Sequence, residues 1–301
     1  MTDLAATKAF TAQVTVIGAG TMGQGIATAA LQAGLATVVV DVDPATLDRA
    51  RDAISRRVER QLGVAAAVES LGRLRLTGDF DEAVAEAAAV IEAVPEIADL
   101  KLDIFRRLGK AAHADALLVS NTSTISISRL AGACADSPRV IGMHFFNPAH
   151  KMPLVEIVVG SEGSAATLHD ALALAKTLGK DPIVVRDVPG FVTSRLGLLL
   201  GTEAMRMVEE GVASPGDIDK AMRLGYGHPM GPLQLADLVG LDARLNNLRS
   251  MHELTGLDHY RAPKVLERLV AQGRLGKKSG SGFFDYDQAG RITGASEGLV
   301  S

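Results

Sequence analysis

The stretch VTVIGAGTMGQGIATAALQAG, residues 14–34, changes its period in the middle. It begins as a β-branched apolar run of the kind that forms a buried strand and ends as an Ala-rich helix. Between the two, Gly18, Gly20 and Gly23 stand in the spacing G-x-G-x-x-G. In that context each glycine has a physical task. Gly18 permits the tight turn, Gly20 lets the backbone approach a pyrophosphate, and Gly23 lets helix and strand pack closely, while the helix N-terminus offers N–H groups and a positive dipole. The next apolar run ends at Asp41, where a carboxylate would accept hydrogen bonds from an adenosine ribose and repel a 2′-phosphate. Asp43 adds a second negative charge and no Arg immediately follows, so NAD is favoured over NADP.

Outward from this unit, short β-branched runs recur: ATVVVD from Ala36, AVIEAV from Ala89, LLVSNT from Leu117, VIGMHF from Val140, LVEIVV from Leu154 and PIVVRD from Pro182. Stretches of helical period separate them. The alternation predicts an α/β fold, a doubly wound Rossmann-type sheet that is mostly parallel and covered by helices, over residues 1–187. From Val188 the β-branched runs vanish, and LGLLLGTEAMRMVEEG, SPGDIDKAMRLG, PMGPLQLADLVGLDARLNNLRSMHEL and APKVLERLVAQG read as helices with Pro or Gly at their ends. Residues 188–301 are therefore expected to form an all-helical C-terminal domain, with GRITGASEGLVS as a polar tail. Its apolar content is high for a small bundle, which suggests a face packed against another subunit.

The 301 residues are 47% hydrophobic and 22% charged, enough for two domains with full cores. A formal charge of −4 and an isoelectric point of about 6.0 give no global reason to expect a nucleic-acid partner. The single Cys134 excludes an intramolecular disulfide and fits a reducing compartment. MTDLAATKAF lacks the basic start and apolar run of a signal peptide, and no apolar stretch approaches the length of a membrane span. A cytoplasmic protein is expected.

Two places suggest chemistry. Glu156 lies inside LVEIVV, where an unpaired carboxylate would cost several kcal/mol or take up a proton. The nearest upstream partners are His144 and His150. Ser120, Asn121, Thr122, Ser123 and Thr124 follow a buried-looking strand, and His144 and Asn147 end the next one. A His, a neighbouring hydroxyl and a carboxylate behind the ring can supply a general base, a hydrogen bond to the reacting oxygen and an orienting acid. His144 alone reads equally well as a core histidine. Glu96 and Lys101 follow AVIEAV at the edge of the sheet where ligands bind, although a helix N-terminal acid and a surface Lys are common in any protein.

VIGAGTMGQGIA, SNTSTISI, GMHFFNPAHKMPLVEIV, PGFV, HPMGPLQLADLVGLD and GKKSGSGFFDY, in this order, resemble the L-3-hydroxyacyl-CoA dehydrogenases of the short 3-hydroxybutyryl-CoA dehydrogenase type. The resemblance runs from about Val14 to Tyr286. It implies that Glu156 orients His144, that His144 takes the 3-hydroxyl proton, and that Ser123 hydrogen-bonds the same oxygen and touches both cofactor and substrate. It implies that Asn147 helps fix the nicotinamide beside the substrate and that Glu96, Lys101 and Lys278 contact NAD. The reaction would be hydride transfer between a 3-hydroxyacyl-CoA thioester and NAD, without a metal. His150 falls outside the matched chemistry.

The resemblance also directs attention to Arg49, Arg51, Arg56, Arg57 and Arg60, on the helix where the family receives the nucleotide end of the thioester. Arg56 and Arg57 are expected at the substrate, although Asp48, Asp52 and Glu59 could equally balance an exposed basic face. Ser194, in PGFVTSR, departs from the Asn usual at a position near the substrate. A homodimer through the helical domain is expected. A dehydrogenase of a free 3-hydroxy acid and a non-catalytic NAD-binding protein are the alternatives.

Overall fold

In a computed structural model of the chain, which describes residues 12–135 and 137–299, the glycine turn joins β1 (Val14–Ile17) to α1 (Thr21–Gln32). MTDLAATKAF and the last two residues of the tail lie outside the described residues. All of β1 is buried, as a strand with helices over both faces requires. The chain continues through β2 (Thr37–Val40), α2 (Pro44–Leu62), α3 (Val64–Leu71), β3 (Leu74–Thr77), α4 (Phe80–Ala85), β4 (Ala89–Glu92) and α5 (Ala98–Ala111). It then forms β5 (Leu117–Ser120), α6 (Ile127–Ala133), β6 (Val140–Phe145), β7 (Leu154–Val159), α7 (Ala165–Thr177) and β8 (Asp181–Arg186). Local chemistry sets the helix starts: the side chains of Asp43, Ser126 and Ser164 accept N–H bonds at the N-termini of α2, α6 and α7.

The strands form one sheet in the order β3-β2-β1-β4-β5-β6-β7-β8. Every neighbouring pair is parallel except β6 with β7. Strand order reverses direction between β1 and β4, which opens a crevice at their carboxyl ends. Ile26, Leu31, Ile54 and Leu174 fill the core on one face, and Phe105, Leu108, Ile127 and Leu130 the core on the other. One strand, β3, is absent from the apolar runs of the sequence. It pairs only with β2, and its LRLT turns Leu74 and Leu76, partly buried, onto the core while the exposed Arg75 pairs with Glu82, so an edge strand of four residues shows no unbroken apolar run.

The chain divides after Phe191 rather than at Asp187. Asp187 accepts N–H bonds from Ile127 and Ser128 at the start of α6, and Phe191 is buried in a core of the sheet, so both belong to the first unit. The second unit comprises α8 (Thr193–Glu209), α9 (Pro215–Gly225), α10 (Pro232–Val239), α11 (Leu241–Thr255) and α12 (Lys264–Ala271), followed by a small antiparallel pair, β9 (Phe284–Tyr286) and β10 (Ile292–Ala295). GRITGASEGLVS is thus more than a polar tail: it supplies β10 and the buried Leu299. The reason is Asp237 of α10, fully buried, which accepts bonds from the Phe283 and Phe284 N–H groups and from the Tyr286 hydroxyl (3.0, 2.9 and 3.1 Å). These bonds fold the segment back onto the helices. Burial outweighs them and pushes the Asp237 carboxyl up to about 6.

Candidate active site

At the β1–α1 turn the three glycines are needed for different reasons. Gly18 has φ +99°, and a Cβ there would stand 2.8 Å from the Ala93 carbonyl oxygen. A Cβ on Gly23 would meet the Gly18 carbonyl oxygen, whereas one on Gly20 would meet nothing within 4 Å. Gly20 therefore faces open space at the helix N-terminus, as close approach of a phosphate requires. Beside it lies a cavity of about 760 Å³, lined by Gly18, Gly20, Asp41, Phe80, Val94 and Leu100 among others. That volume suits a nucleotide. Asp41 is locked at its rim: the Ala19 N–H donates to Oδ2 (2.9 Å) and the Asp43 N–H to Oδ1 (3.0 Å). Asp43 has another task than reading the ribose, since its carboxylate caps α2 and is held below its usual range first by the Thr46 hydroxyl. Arg107, which α5 brings to the same cavity, pairs with Asp81 (2.9 Å) and lies over the Phe80 ring.

The carboxyl end of β4 holds an ionic cluster. Glu92, fully buried, accepts Lys101 Nζ (2.8 and 3.0 Å), the Ser120 hydroxyl (2.7 Å) and the Val94 N–H (2.8 Å). Lys101 also reaches Glu96 Oε2 at 3.1 Å. Lys101 has no exposed surface, and its ammonium lies between Glu92 and Glu96. Glu96 stands in the loop between β4 and α5 rather than on a strand, and its Oε1 accepts the Thr122 hydroxyl and the Ser123 and Thr124 N–H groups. Burial pushes the Glu96 carboxyl up, but Lys101 and these bonds overcome it and hold the group below its usual range. A charged carboxylate therefore shapes the loop that carries Ser123.

Across the sheet, the antiparallel register sets His144 of β6 directly opposite Glu156 of β7. His144 Nδ1 lies 2.7 Å from Glu156 Oε2; the ring is 13% exposed and the carboxylate 0%. That answers the question raised by LVEIVV in favour of His144. The ring packs near Phe146 and Phe191, with centroids 4.7 and 5.8 Å away. Phe191 has φ +47°, a conformation that costs about 1–3 kcal/mol and persists only because its buried ring is held by the surrounding core. Asn121 Oδ1 accepts the Phe145 N–H (3.0 Å), tying the Ser123 loop to the end of β6. Asn147 follows, exposed, before a cis peptide bond to Pro148. Ser123, His144, Glu156 and Asn147 thus gather at one edge of the first unit. Glu92 and Phe191 were not singled out by the sequence; for Glu92 the signal was present, an acid within the apolar AVIEAV.

This geometry has relatives. The chain matches the family model for the 3-hydroxyacyl-CoA dehydrogenase NAD binding domain over residues 13–188 and that for the C-terminal domain over residues 190–286. It belongs to the 3-hydroxyacyl-CoA dehydrogenase family. A 3-hydroxybutyryl-CoA dehydrogenase of Mycobacterium tuberculosis is 40% identical over 283 residues, covering 91% of this chain and 98% of the relative. The mitochondrial hydroxyacyl-coenzyme A dehydrogenase of Sus scrofa is 37% identical over 292 residues, 93% of each chain. The solved (S)-3-hydroxybutyryl-CoA dehydrogenase of Ralstonia eutropha matches with a TM-score of 0.87 at 37% identity, covering 92% of this chain and 99% of that one.

In this 3-hydroxyacyl-CoA dehydrogenase, Arg56 and Arg57 of α2 form no ion pair among the described residues. Arg57 Nη1 and His150 Nδ1 are each buried without a hydrogen-bond partner. Burial, then the charges of Arg57, Lys151 and Lys180, hold the His150 pKa below its usual value. The loop after Asn147 therefore joins α2 in one cationic patch, a neighbour for His150 that spacing did not indicate. In the second unit, Lys278 Nζ is bound to both oxygens of Asp242 (2.6 and 2.7 Å). Ser194 lies in the first turn of α8, and its hydroxyl has no hydrogen-bond partner among the described residues.

Proposed function

We propose that this NAD-dependent dehydrogenase interconverts a (3S)-3-hydroxyacyl-CoA and the 3-oxoacyl-CoA, with His144 as the general base. The observation that carries the reading is the 2.7 Å contact of His144 Nδ1 with the buried Glu156. With Nδ1 held as donor to the carboxylate, Nε2 is left as an acceptor, and the imidazolium that forms on taking the 3-hydroxyl proton is stabilised by the charge behind it. Ser123, on the loop organised by Glu96, donates a hydrogen bond to the same oxygen as it becomes a carbonyl. Asn147 orients the nicotinamide end, while the Gly18–Gly23 turn and Asp41 hold the adenosine end. The chemistry supplied by bound NAD is acceptance of the C3 hydride. In the reductive direction His144 returns the proton.

The thioester's phosphates find cations at Arg56 and Arg57, with His150 beside them, and the buried, unpartnered Nη1 of Arg57 favours an anion. The names of the relatives favour a short acyl chain. In the second unit the exposed Leu224, Tyr226, Leu238 and Leu254 favour a homodimer. The use of a single cysteine, Cys134, in 301 residues favours a reducing, cytosolic setting. The deciding assay follows NADH formation with (3S)-3-hydroxybutyryl-CoA beside free 3-hydroxybutyrate. Turnover of the thioester is expected; equal or faster turnover of the free acid, or none of either, would overturn the reading.

A further inference from the structure

Beyond Gly18, Gly20 and Gly23, which the dinucleotide turn requires, VIGAGTMGQGIA carries a fourth glycine, Gly25, inside α1. A glycine weakens a helix interior, so a buried one needs a reason in its surroundings. Here the reason is the loop between β6 and β7. A Cβ on Gly25 would stand 3.0 Å from the Ala149 Cβ and 3.2 Å from the Ala149 backbone nitrogen. The loop is thus seated directly on the helix that follows the glycine turn, and Ala149 is buried in the same core as Ile26.

The same loop is held a second time by Lys180, which stands between α7 and β8 and is 8% exposed. Lys180 Nζ donates to the Ala149 and Met152 carbonyl oxygens (2.5 and 3.0 Å). Among the described residues it makes no ion pair, and burial lowers its pKa with no carboxylate to offset the effect. Lys101, by contrast, lies between two carboxylates. An ammonium kept in the interior for two main-chain carbonyls is a costly way to satisfy groups that a surface loop would leave to water. What it secures is a fixed loop: one nitrogen ties Ala149 to Met152, while the Pro148 carbonyl accepts the Lys151 and Met152 N–H groups.

We propose that Gly25 and Lys180 form the seat that sets where Asn147 stands, which makes Lys180 a positioning residue for hydride transfer, acting through the loop rather than on a ligand. This rests on the reading of Asn147 as the residue that orients the nicotinamide. The seat joins the two ends of the cofactor site, since α1 carries the turn for the pyrophosphate and the loop fastened to it carries Asn147. Binding of the adenosine end is then independent of Lys180, while alignment of the nicotinamide with the substrate depends on it. A misplacement of about 1 Å costs on the order of a hundredfold in rate.

The test measures kcat, the isotope effect on kcat with (3S)-3-hydroxybutyryl-CoA deuterated at C3, and the affinity for ADP-ribose by calorimetry. The proteins are the native enzyme, Lys180→Met, Lys180→Arg, Gly25→Ala and Asn147→Ala. Lys180→Met is expected to lose about ten- to a hundredfold in kcat and to show a larger isotope effect, while ADP-ribose binds within about threefold of native. Combined with Asn147→Ala, it should lose much less than the product of the two. Lys180→Arg, which can still donate to both carbonyls, should recover most of kcat, and Gly25→Ala should show the Lys180→Met pattern in milder form. Native kcat and isotope effect in a folded Lys180→Met overturn the proposal. So do losses that multiply with those of Asn147→Ala, or a kcat that falls only in step with ADP-ribose affinity and melting temperature, as a merely structural role would give. If Lys180→Met does not fold, Gly25→Ala and its double variant with Asn147→Ala decide by the same criteria. Native kcat in Asn147→Ala defeats the reading of Asn147 beneath, whereas impairment there with none in Lys180→Met defeats this inference alone.

Discussion

Glu92 on β4 and Glu156 on β7 are both fully buried carboxylates in the same sheet, yet their partners make them different devices. Glu92 is neutralised by Lys101, whose ammonium is as deeply buried as the acid and is also bound to Glu96. No ligand can reach that charge, so the pair can only fix the junction of β4, α5 and β5. Glu156 is matched by His144, whose ring is 13% exposed and carries a second nitrogen. A buried carboxylate thus becomes structural or chemical according to whether its partner can exchange a proton with something outside.

The largest effect that would break this comparison is at His144. His144→Ala should lower kcat by roughly 10³–10⁴-fold with the melting temperature nearly retained. Glu156→Gln should also be severely impaired, and the double variant should lose far less than the product of the two, as partners in one unit do. Near-normal turnover in Glu156→Gln would make the two carboxylates equivalent, both structural.

Lys101→Met should act on stability, by about 3–5 kcal/mol in urea unfolding, because it strands a buried charge. A stable Lys101→Met protein that binds NAD but has lost turnover would place Lys101 in the chemistry and remove the contrast.

Asp237 sharpens the comparison from the other unit, as a buried carboxylate with N–H and O–H donors but no cation. Its unfolded value is 3.8 and its folded value about 6, so between the two the folded chain holds more protons. Its contribution to stability is full below pH 3.8 and is lost as the pH rises through about 6. Across that window native stability should fall relative to Asp237→Asn by up to about 3 kcal/mol. Parallel pH curves for the two proteins would show that its donors offset burial completely.

The smallest effect concerns Asp41, a carboxylate at the rim of the cavity beside the glycine turn. Asp41→Ala should narrow the preference for NAD over NADP by about tenfold, measured as the ratio of kcat/KM values, since one charge-mediated contact and one repulsion are removed. A native enzyme that used both cofactors equally would remove Asp41 from the ribose site.

Much of this was legible in the chain because its cause is local. A glycine turn between an apolar strand and a helix needs no distant contact to be recognised, and Gly18, Gly20 and Gly23 have the steric surroundings that their spacing suggests. The acid in LVEIVV announced a buried partner by cost alone. The same argument applied to AVIEAV leads to Glu92, but its partner is a lysine on a later helix, and helical lysines are too common to stand out. β3 and β10 were hidden because neither is a continuous apolar run: β3 is a four-residue edge strand with Arg75 between its two leucines, and β10 is exposed throughout.

The amino-acid order by itself determined the doubly wound first unit, the helical second one and the dinucleotide-binding turn, since apolar period and turn glycines act within a few residues of one another. Which histidine serves Glu156 was decided only in three dimensions. The reversal of β7 against β6 sets His144 opposite the carboxylate and leaves His150 beside Arg57, and register is a property of two strands, which neither strand encodes alone.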